Sequence, residues 1–338
     1  FTRQLTALLE SGMPVHNALE TLVEQDDPVL GRAVEAVLGR VLRGSTLSAS
    51  LSRFPGVFPP LYVSMVQVGE KTGALPHSLS RLAQWLEREE RLAGRVRSAL
   101  AYPAFVLALS ALLTVALFLV VLPGFVGIFR DLKVELPLLT RLILGLTTAI
   151  RSPGAWLVTA GLCLPVGLAL REFLASPPGR RWWFRVAVAI PVLGGMLQSA
   201  ALARMCAAMQ ALLNANVDLL TSLHLGARAS GNPLIEESGA RMVRQLSLGA
   251  RLADALAGHR DLFPGVVSQM VAAGEETSRL GPMLRRLSEM YDQDLDYRIE
   301  ALGSILEPIL ILAVGLAVGT IMVAVFLPLY GHLNHLGV

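Results

Sequence analysis

Few residues in this chain have the types and spacing to do chemistry. Val68–Gly73 reads VGEKTG, a glycine-flanked turn in which a lysine precedes a threonine. A phosphate loop of the form G-x-x-x-x-G-K-[ST] needs its lysine directly after the second glycine, and a strand ahead of the turn. Here Lys71 comes before Gly73, and no strand pattern leads into Val68. A second stretch, AGEETS at 273–278, puts Glu276 where Lys71 stands, so no phosphate-binding lysine is shared. His332 and His335 could share a helical face and hold a metal, but HLNH reads more simply as a polar tail. His16, His77, His224 and His259 share no ligand spacing, and neither a Ser/His/Asp set nor H-E-x-x-H is legible. Cys163 and Cys206 sit in apolar surroundings and read as buried free thiols, without a disulfide framework. The sequence therefore predicts no enzyme, no cofactor and no metal site.

What remains is a pair of acidic corners. Glu70 and Glu275 each follow a glycine, Gly69 or Gly274, and each precedes a threonine by two, Thr72 or Thr277. Gly73 closes the first corner, and Ser278 stands in its place in the second. One reading is structural, with each carboxylate capping the following helix or pairing with Arg81 or Arg286. The other makes Gly69, Glu70, Thr72, Gly73, Gly274, Glu275 and Thr277 a docking point for a basic partner, since a helix-turn corner is where a bundle presents polar groups.

These corners belong to a duplicated unit. Phe58–Leu75 returns as Phe263–Leu280 at a shift of 205 residues, with identities at Phe58, Pro59, Met65, Val66, Gly69, Glu70, Thr72 and Leu75. The repeat extends upstream. Leu5, Leu8 and Leu9, then Val15, Leu19, Leu22 and Val23, form two apolar stripes of a helical hairpin. Gly12 suits a left-handed cap and Pro14 the start of the next helix; the second copy has Asn216 and Asp218, which suit the same two tasks. Helices broken near Gly44 echo at Gly249. A long helix from Leu75, with Leu79, Leu82 and Leu86 on its core face, echoes at Leu280, Leu284 and Leu287. Each copy reads as a small all-α bundle.

Composition adds a membrane. Apolar residues make up 53% and charged ones 16%, against about 25% charged in soluble proteins. Ala104–Leu122 holds no charge over nineteen residues, about 28 Å as a helix and enough to span a bilayer core. Residues 152–170 form a second uncharged stretch, with Pro153 and Pro165 inside it, and Ile309–Leu329 a third. Residues 186–203 are also uncharged but carry Pro191, Gly194, Gly195 and Gln198, and read as an interfacial lead-in. Two homologous bundles should face one compartment, which requires an even number of spans between them. Lysine and arginine within fifteen residues of the spans number eight on the bundle side and four on the other, which places the bundles in the cytoplasm and reads the +3 net charge as topology rather than nucleic-acid binding. The predicted order is a bundle at 1–103, a span at 104–122, an outward loop at 123–151, a span at 152–170, an interfacial linker at 171–203, a second bundle at 204–308, a span at 309–329 and an outward tail at 330–338. Gly315 and Gly319, spaced G-x-x-x-G, are candidates for close helix packing and self-association.

The layout resembles the F component of type II secretion systems, the family that also holds the type IV pilus inner-membrane platform protein. The resemblance rests on FTRQLTALLESGMPVHNAL at 1–19, FPPLYVSMVQVGEKTGALPHSLSRLA at 58–83, SALAYPAF at 98–105 and their second-copy equivalents, and covers essentially the whole chain. It implies a non-enzymatic platform in the bacterial inner membrane. It further implies a cytoplasmic hexameric assembly ATPase, (pseudo)pilins and other inner-membrane platform components as partners, with self-association and no nucleic acid. The family pattern carries over to Gly69, Glu70, Gly73, Gly274 and Glu275, and departs at Ser278. It also implies a further N-terminal cytoplasmic segment ahead of Phe1. Two other readings compete. A membrane-tethered regulator or receptor would keep the bundles as binding modules. A repeat-built transporter would need polar groups at mid-membrane, where the spans offer only Ser110, Thr114, Thr159 and Thr320, with Cys163 as the one ionisable side chain.

Overall fold

The computed structural model describes residues 1–24, 27–116 and 191–335, with single positions at 165, 167, 171, 172, 176, 179, 182 and 186. The outward loop expected at 123–151, Cys163 and nearly all of the span expected at 152–170 lie outside the described residues, as do 117–122 and 336–338. Among the described residues every regular element is an α-helix.

The first repeat runs α1 (Thr2–Glu10), α2 (Val15–Thr21), α3 (Pro28–Val41), α4 (Leu47–Leu51), α5 (Pro60–Thr72) and α6 (Leu75–Ala116). The second runs α7 (Pro191–Asn214), α8 (Leu219–Ala229), α9 (Pro233–Ser247), α10 (Leu252–Ala257), α11 (Gly265–Glu276) and α12 (Leu280–His335). Element by element the copies match, and the turn chemistry explains why. Gly12 and Asn216 both adopt positive φ, +85° and +62°. They end α1 and α7 with the left-handed residue that glycine reaches freely and asparagine reaches at small cost. Asp218 then caps α8 by accepting from the Thr221 N–H at 2.8 Å. The third helix of each copy begins Asx-Pro. Asp27 accepts from the Val29 N–H at 2.8 Å and Asn232 from the Leu234 N–H at 2.9 Å, while the proline occupies the first turn, where its missing N–H costs nothing.

The chain divides into two compact units. The first combines Phe1–Gly94 with Arg181–Arg298, so both repeats lie in one body. Its cores interleave the copies: Leu5, Leu19, Met65, Leu79 and Leu82 of the first pack with Ala208, Leu212 and Val217 of the second. A second cluster gathers Leu202, Met209, Leu223, Phe263, Leu284 and Leu287. Polar contacts cross the same join. Arg88 pairs with Asp292, and Arg204 Nε lies 3.3 Å from Glu89 Oε2, all four side chains largely covered. The domain limits read from the sequence at 103/104 and 308/309 are thus displaced to Gly94 and Arg298, because α6 and α12 leave the shared core about three turns before their apolar runs begin.

One expected boundary is corrected. The linker at 171–203 and the bundle at 204 were to be separate, yet α7 is a single helix through that point, with Ala201, Leu202 and Ala203 fully covered. Met196 and Ser199 of the same helix are buried as well. Pro191 and Gly195 both lie within the described helix, and a Cβ on Gly195 would fall 1.9 Å from the Arg298 guanidinium.

The second unit comprises Arg95–Arg180 and Ile299–Val338. Among the described residues two helices are long and apolar enough to cross a membrane, over 193–214 and 280–320; the most apolar part of the first is mostly buried in the protein, that of the second almost wholly exposed. The apolar helix at 101–116 is shorter, its continuation lying outside the described residues. In this unit Leu112, Leu113, Ile311, Leu312 and Leu316 are each more than half exposed, the composition that a lipid-facing helix requires. Pro103 and Pro308 sit inside α6 and α12 without ending them.

Two tests follow from this packing. Ser278 holds φ +53° where the first copy has Gly73 at +69°, so Ser278→Gly should raise stability by about 1 kcal/mol in denaturant unfolding of the detergent-solubilised chain; no gain would show that the seryl turn is unstrained. Burial pushes the Glu89 carboxyl above its ordinary range, with Arg204 and then Arg88 pulling it back. A carboxyl whose folded pKa exceeds its unfolded one favours folding below the unfolded value, and that contribution is lost as pH rises through the folded value. The stability of the natural chain relative to Glu89→Gln should therefore fall as pH rises above about 4, and a flat difference would contradict the burial argument.

Candidate functional site

The two acidic corners are built alike. α4 has five residues and α10 six, too short to stand alone, because helix nucleation is costly and the first N–H groups have no partner within the helix. Glu70, in the last turn of α5, supplies those partners from 23 residues away. Its Oε1 accepts from the Leu47 N–H at 2.5 Å, and its Oε2 accepts from the Ser48 N–H at 3.1 Å and the Ser48 hydroxyl at 2.5 Å. Glu275 repeats the arrangement on α10, accepting from Leu252 N–H at 2.8 Å and Ala253 N–H at 3.1 Å. A carboxylate at a helix N-terminus also gains from the helix dipole. The first copy adds Thr46, whose hydroxyl accepts from the Ala49 N–H at 3.2 Å. The second has Arg251 there, 3.8 Å from Glu275 and 3.3 Å from Glu276.

The neighbouring residues hold each carboxylate in place. Gly69 and Gly274 are buried where the fifth helix of each copy meets the sixth. A Cβ on Gly69 would lie 2.9 Å from Ser78 Cβ, and one on Gly274 would lie 3.1 Å from Leu280 Cα and Met283 Cγ. Only glycine lets the two helices approach so closely. Thr72 and Thr277 turn their hydroxyls back to Val68 O at 2.8 Å and Ala273 O at 2.7 Å. Gly73 and Ser278 then supply the left-handed turn into the long helix.

This geometry revises the structural reading of the sequence in two respects. The capped helix is the one before each glutamate, not the one after it. Arg81 does not pair with Glu70: its Nε donates to His77 Nε2 at 3.0 Å, and Arg286 meets no carboxylate among the described residues. The side chains left exposed at the corners are Lys71 and Thr72 in one copy, and Glu276, Thr277 and Ser278 in the other. Sequence reasoning missed Ser48 and the 46/251 position, whose only signal was their constant distance from the glutamates in both copies. Gly315 and Gly319 lie on α12 in the second unit, and a Cβ on either would meet nothing within 4 Å. Among the described residues no group of three or more His, Cys, Asp or Glu is placed to hold a metal ion, and Cys206 is a buried free thiol.

Removing the clamp leaves two buried N–H groups without acceptors. Glu70→Ala should cost about 2–3 kcal/mol and speed amide exchange at Leu47 and Ser48 by an order of magnitude or more. Glu70→Gln, which keeps one acceptor oxygen, should cost less. Unchanged exchange in the alanine variant would remove the clamp from the stability account.

Comparison with known proteins adds the wider context. The chain is 34% identical over 339 residues to the type IV pilus assembly protein PilC of Thermus thermophilus, covering all of this chain and 83% of that one. It is 31% identical to PilC of Myxococcus xanthus, over 98% of this chain and 79% of the relative. It is 29% identical to type II secretion system protein F of Pseudomonas aeruginosa, over 97% and 80%. The sequence model described as type II secretion system (T2SS), protein F, matches residues 1–123 and 205–328, one match for each copy of the repeat built around Glu70 and Glu275. The chain belongs to the type II secretion system protein F family.

Proposed function

We propose that the protein is a platform in the bacterial inner membrane for a type II secretion or type IV pilus machine, passing the motion of a cytoplasmic assembly ATPase to (pseudo)pilins leaving the bilayer. The observation that carries this reading is the family match to both copies of the repeat, joined to near full-length similarity to relatives named for pilus assembly and for secretion. The multi-pass topology with both copies of the repeat in the cytoplasm follows from repeat parity and the arginine bias around the apolar segments. Unbroken helices through Pro103 and Pro308 are what force transmission would need.

Docking is assigned to the rim of each corner. Gly69, Glu70, Gly274 and Glu275 shape it from within, and Thr72, Gly73 and Thr277 form its exposed edge beside Lys71 and Glu276. The rims carry opposite charge at equivalent positions, Lys71 against Glu276, so the copies address different surfaces. Self-association is assigned to the open Gly315–Gly319 face of α12.

The test uses the complete membrane complex. A hexameric ATPase should co-purify with the natural chain. Lys71→Glu, on an exposed side chain outside the clamp, should reduce that ATPase at least ten-fold while folding and membrane insertion stay unchanged. Glu70→Arg is the weaker probe, since it breaks the cap as well. Full recovery of the ATPase with Lys71→Glu removes the first corner as its dock, and no ATPase with the natural chain removes the coupling.

A further inference from the structure

A second feature of the first unit lies apart from both corners. A cleft of about 350 Å3 opens between the 81–91 segment of α6, the 207–211 segment of α7 and the 285–289 segment of α12. Four arginines line it, Arg81, Arg88, Arg91 and Arg285, against one carboxylate, Glu289. Two are committed, Arg88 to Asp292 and Arg285 to Glu289 at 2.8 Å. Arg81 and Arg91 meet no carboxylate among the described residues. Trp85 lies among them with its Nε1–H buried and unbonded. A buried donor without an acceptor costs on the order of 1–3 kcal/mol, and the one carboxylate on the lining, Glu289, is paired with Arg285.

We propose that this cleft binds a nucleotide. Guanidinium groups without a carboxylate partner offer the planar, two-pronged donors that phosphate oxygens match, and an anionic ligand is what Arg81, held by His77 alone, and Arg91 lack. The indole offers a stacking or edge contact for a base, and the Gln84 and Gln210 amides, also on the lining, offer both donors and acceptors to its edge. Size excludes the other acidic ligand of comparable charge, a partner helix. Such a helix is about 10–12 Å across and needs an open groove along its length, whereas a cleft of this volume falls at the small end of the roughly 300–1,000 Å3 range of small-molecule sites. The site is independent of the Gly69–Gly73 turn and of the platform assignment.

Calorimetric titration of the full chain in detergent, at low salt, compares ATP with tripolyphosphate. ATP should bind saturably and at least about ten-fold more tightly than tripolyphosphate, and the double variant Arg81→Gln/Arg91→Gln should weaken ATP at least about ten-fold with an unchanged melting temperature. Should that variant melt early, Arg91→Gln alone, on an exposed side chain, carries the same test with at least about three-fold weakening. Absence of ATP binding, equal affinity for tripolyphosphate, or variants that bind ATP as the natural chain does would each overturn the proposal.

Discussion

A carboxylate that takes two successive backbone N–H groups of a one-turn helix is the constraint on which each copy of the repeat depends. The helix is needed because its buried residues, Leu47 and Leu51 or Leu252 and Leu256, close one side of the core. It cannot form unaided at that length. The acceptor must come from elsewhere, and the end of the fifth helix supplies it. That requirement propagates along the chain. The glycine before the glutamate lets the fifth and sixth helices approach closely, which fixes where the carboxylate sits. The left-handed residue three positions after the glutamate reverses the chain into the long helix. Gly69, Glu70 and the Gly73 position are thus one device, and the second copy keeps it with Gly274, Glu275 and a strained Ser278.

The local parts of this device were legible in the sequence, and the distant part was not. Positive φ at Gly12 and Asn216, capping by Asp218 and the helix starts at Pro28 and Pro233 all follow from side chains acting within three residues of themselves. The clamp joins residues 23 apart, and no periodicity reports such a contact. Two copies could have exposed it, since the interval from Leu47 to Glu70 equals that from Leu252 to Glu275. The burial of 201–203 is likewise set at a distance, by packing against residues far along the chain such as Phe263 and Leu287.

Duplication also explains why the two copies share one body. Each repeat alone buries a thin layer of helices, and the α7 residues Ala208 and Leu212 complete the first copy's core as well as starting the second. The join is closed by charge pairs rather than by apolar contact alone, and their positions are not symmetric. Arg88 reaches Asp292, whereas the residue equivalent to Arg88 in the second copy is Gln293. An interface between unequal surfaces admits one arrangement, and mispaired charges oppose the alternatives.

The same asymmetry separates frame from function. Residues that shape the corner are kept between copies, while those that face outward diverge: Lys71 becomes Glu276, and the arginine and tryptophan face at 81, 85, 88 and 91 becomes Arg286, Met290, Gln293 and Asp296. Three of four positions in that set lose the charge or the aromatic ring, so this face belongs to the first copy's long helix and not to the second's. A fold maintained by backbone clamps and glycine contacts tolerates such change, because neither Lys71 and Glu276 nor the 81–91 face supplies the two carboxylate-to-backbone bonds of the clamp. Two equal frames with unlike surfaces thus present different chemistry from each half. The clamp makes that arrangement accessible, since it holds both corners in the same shape whatever charge the rim carries.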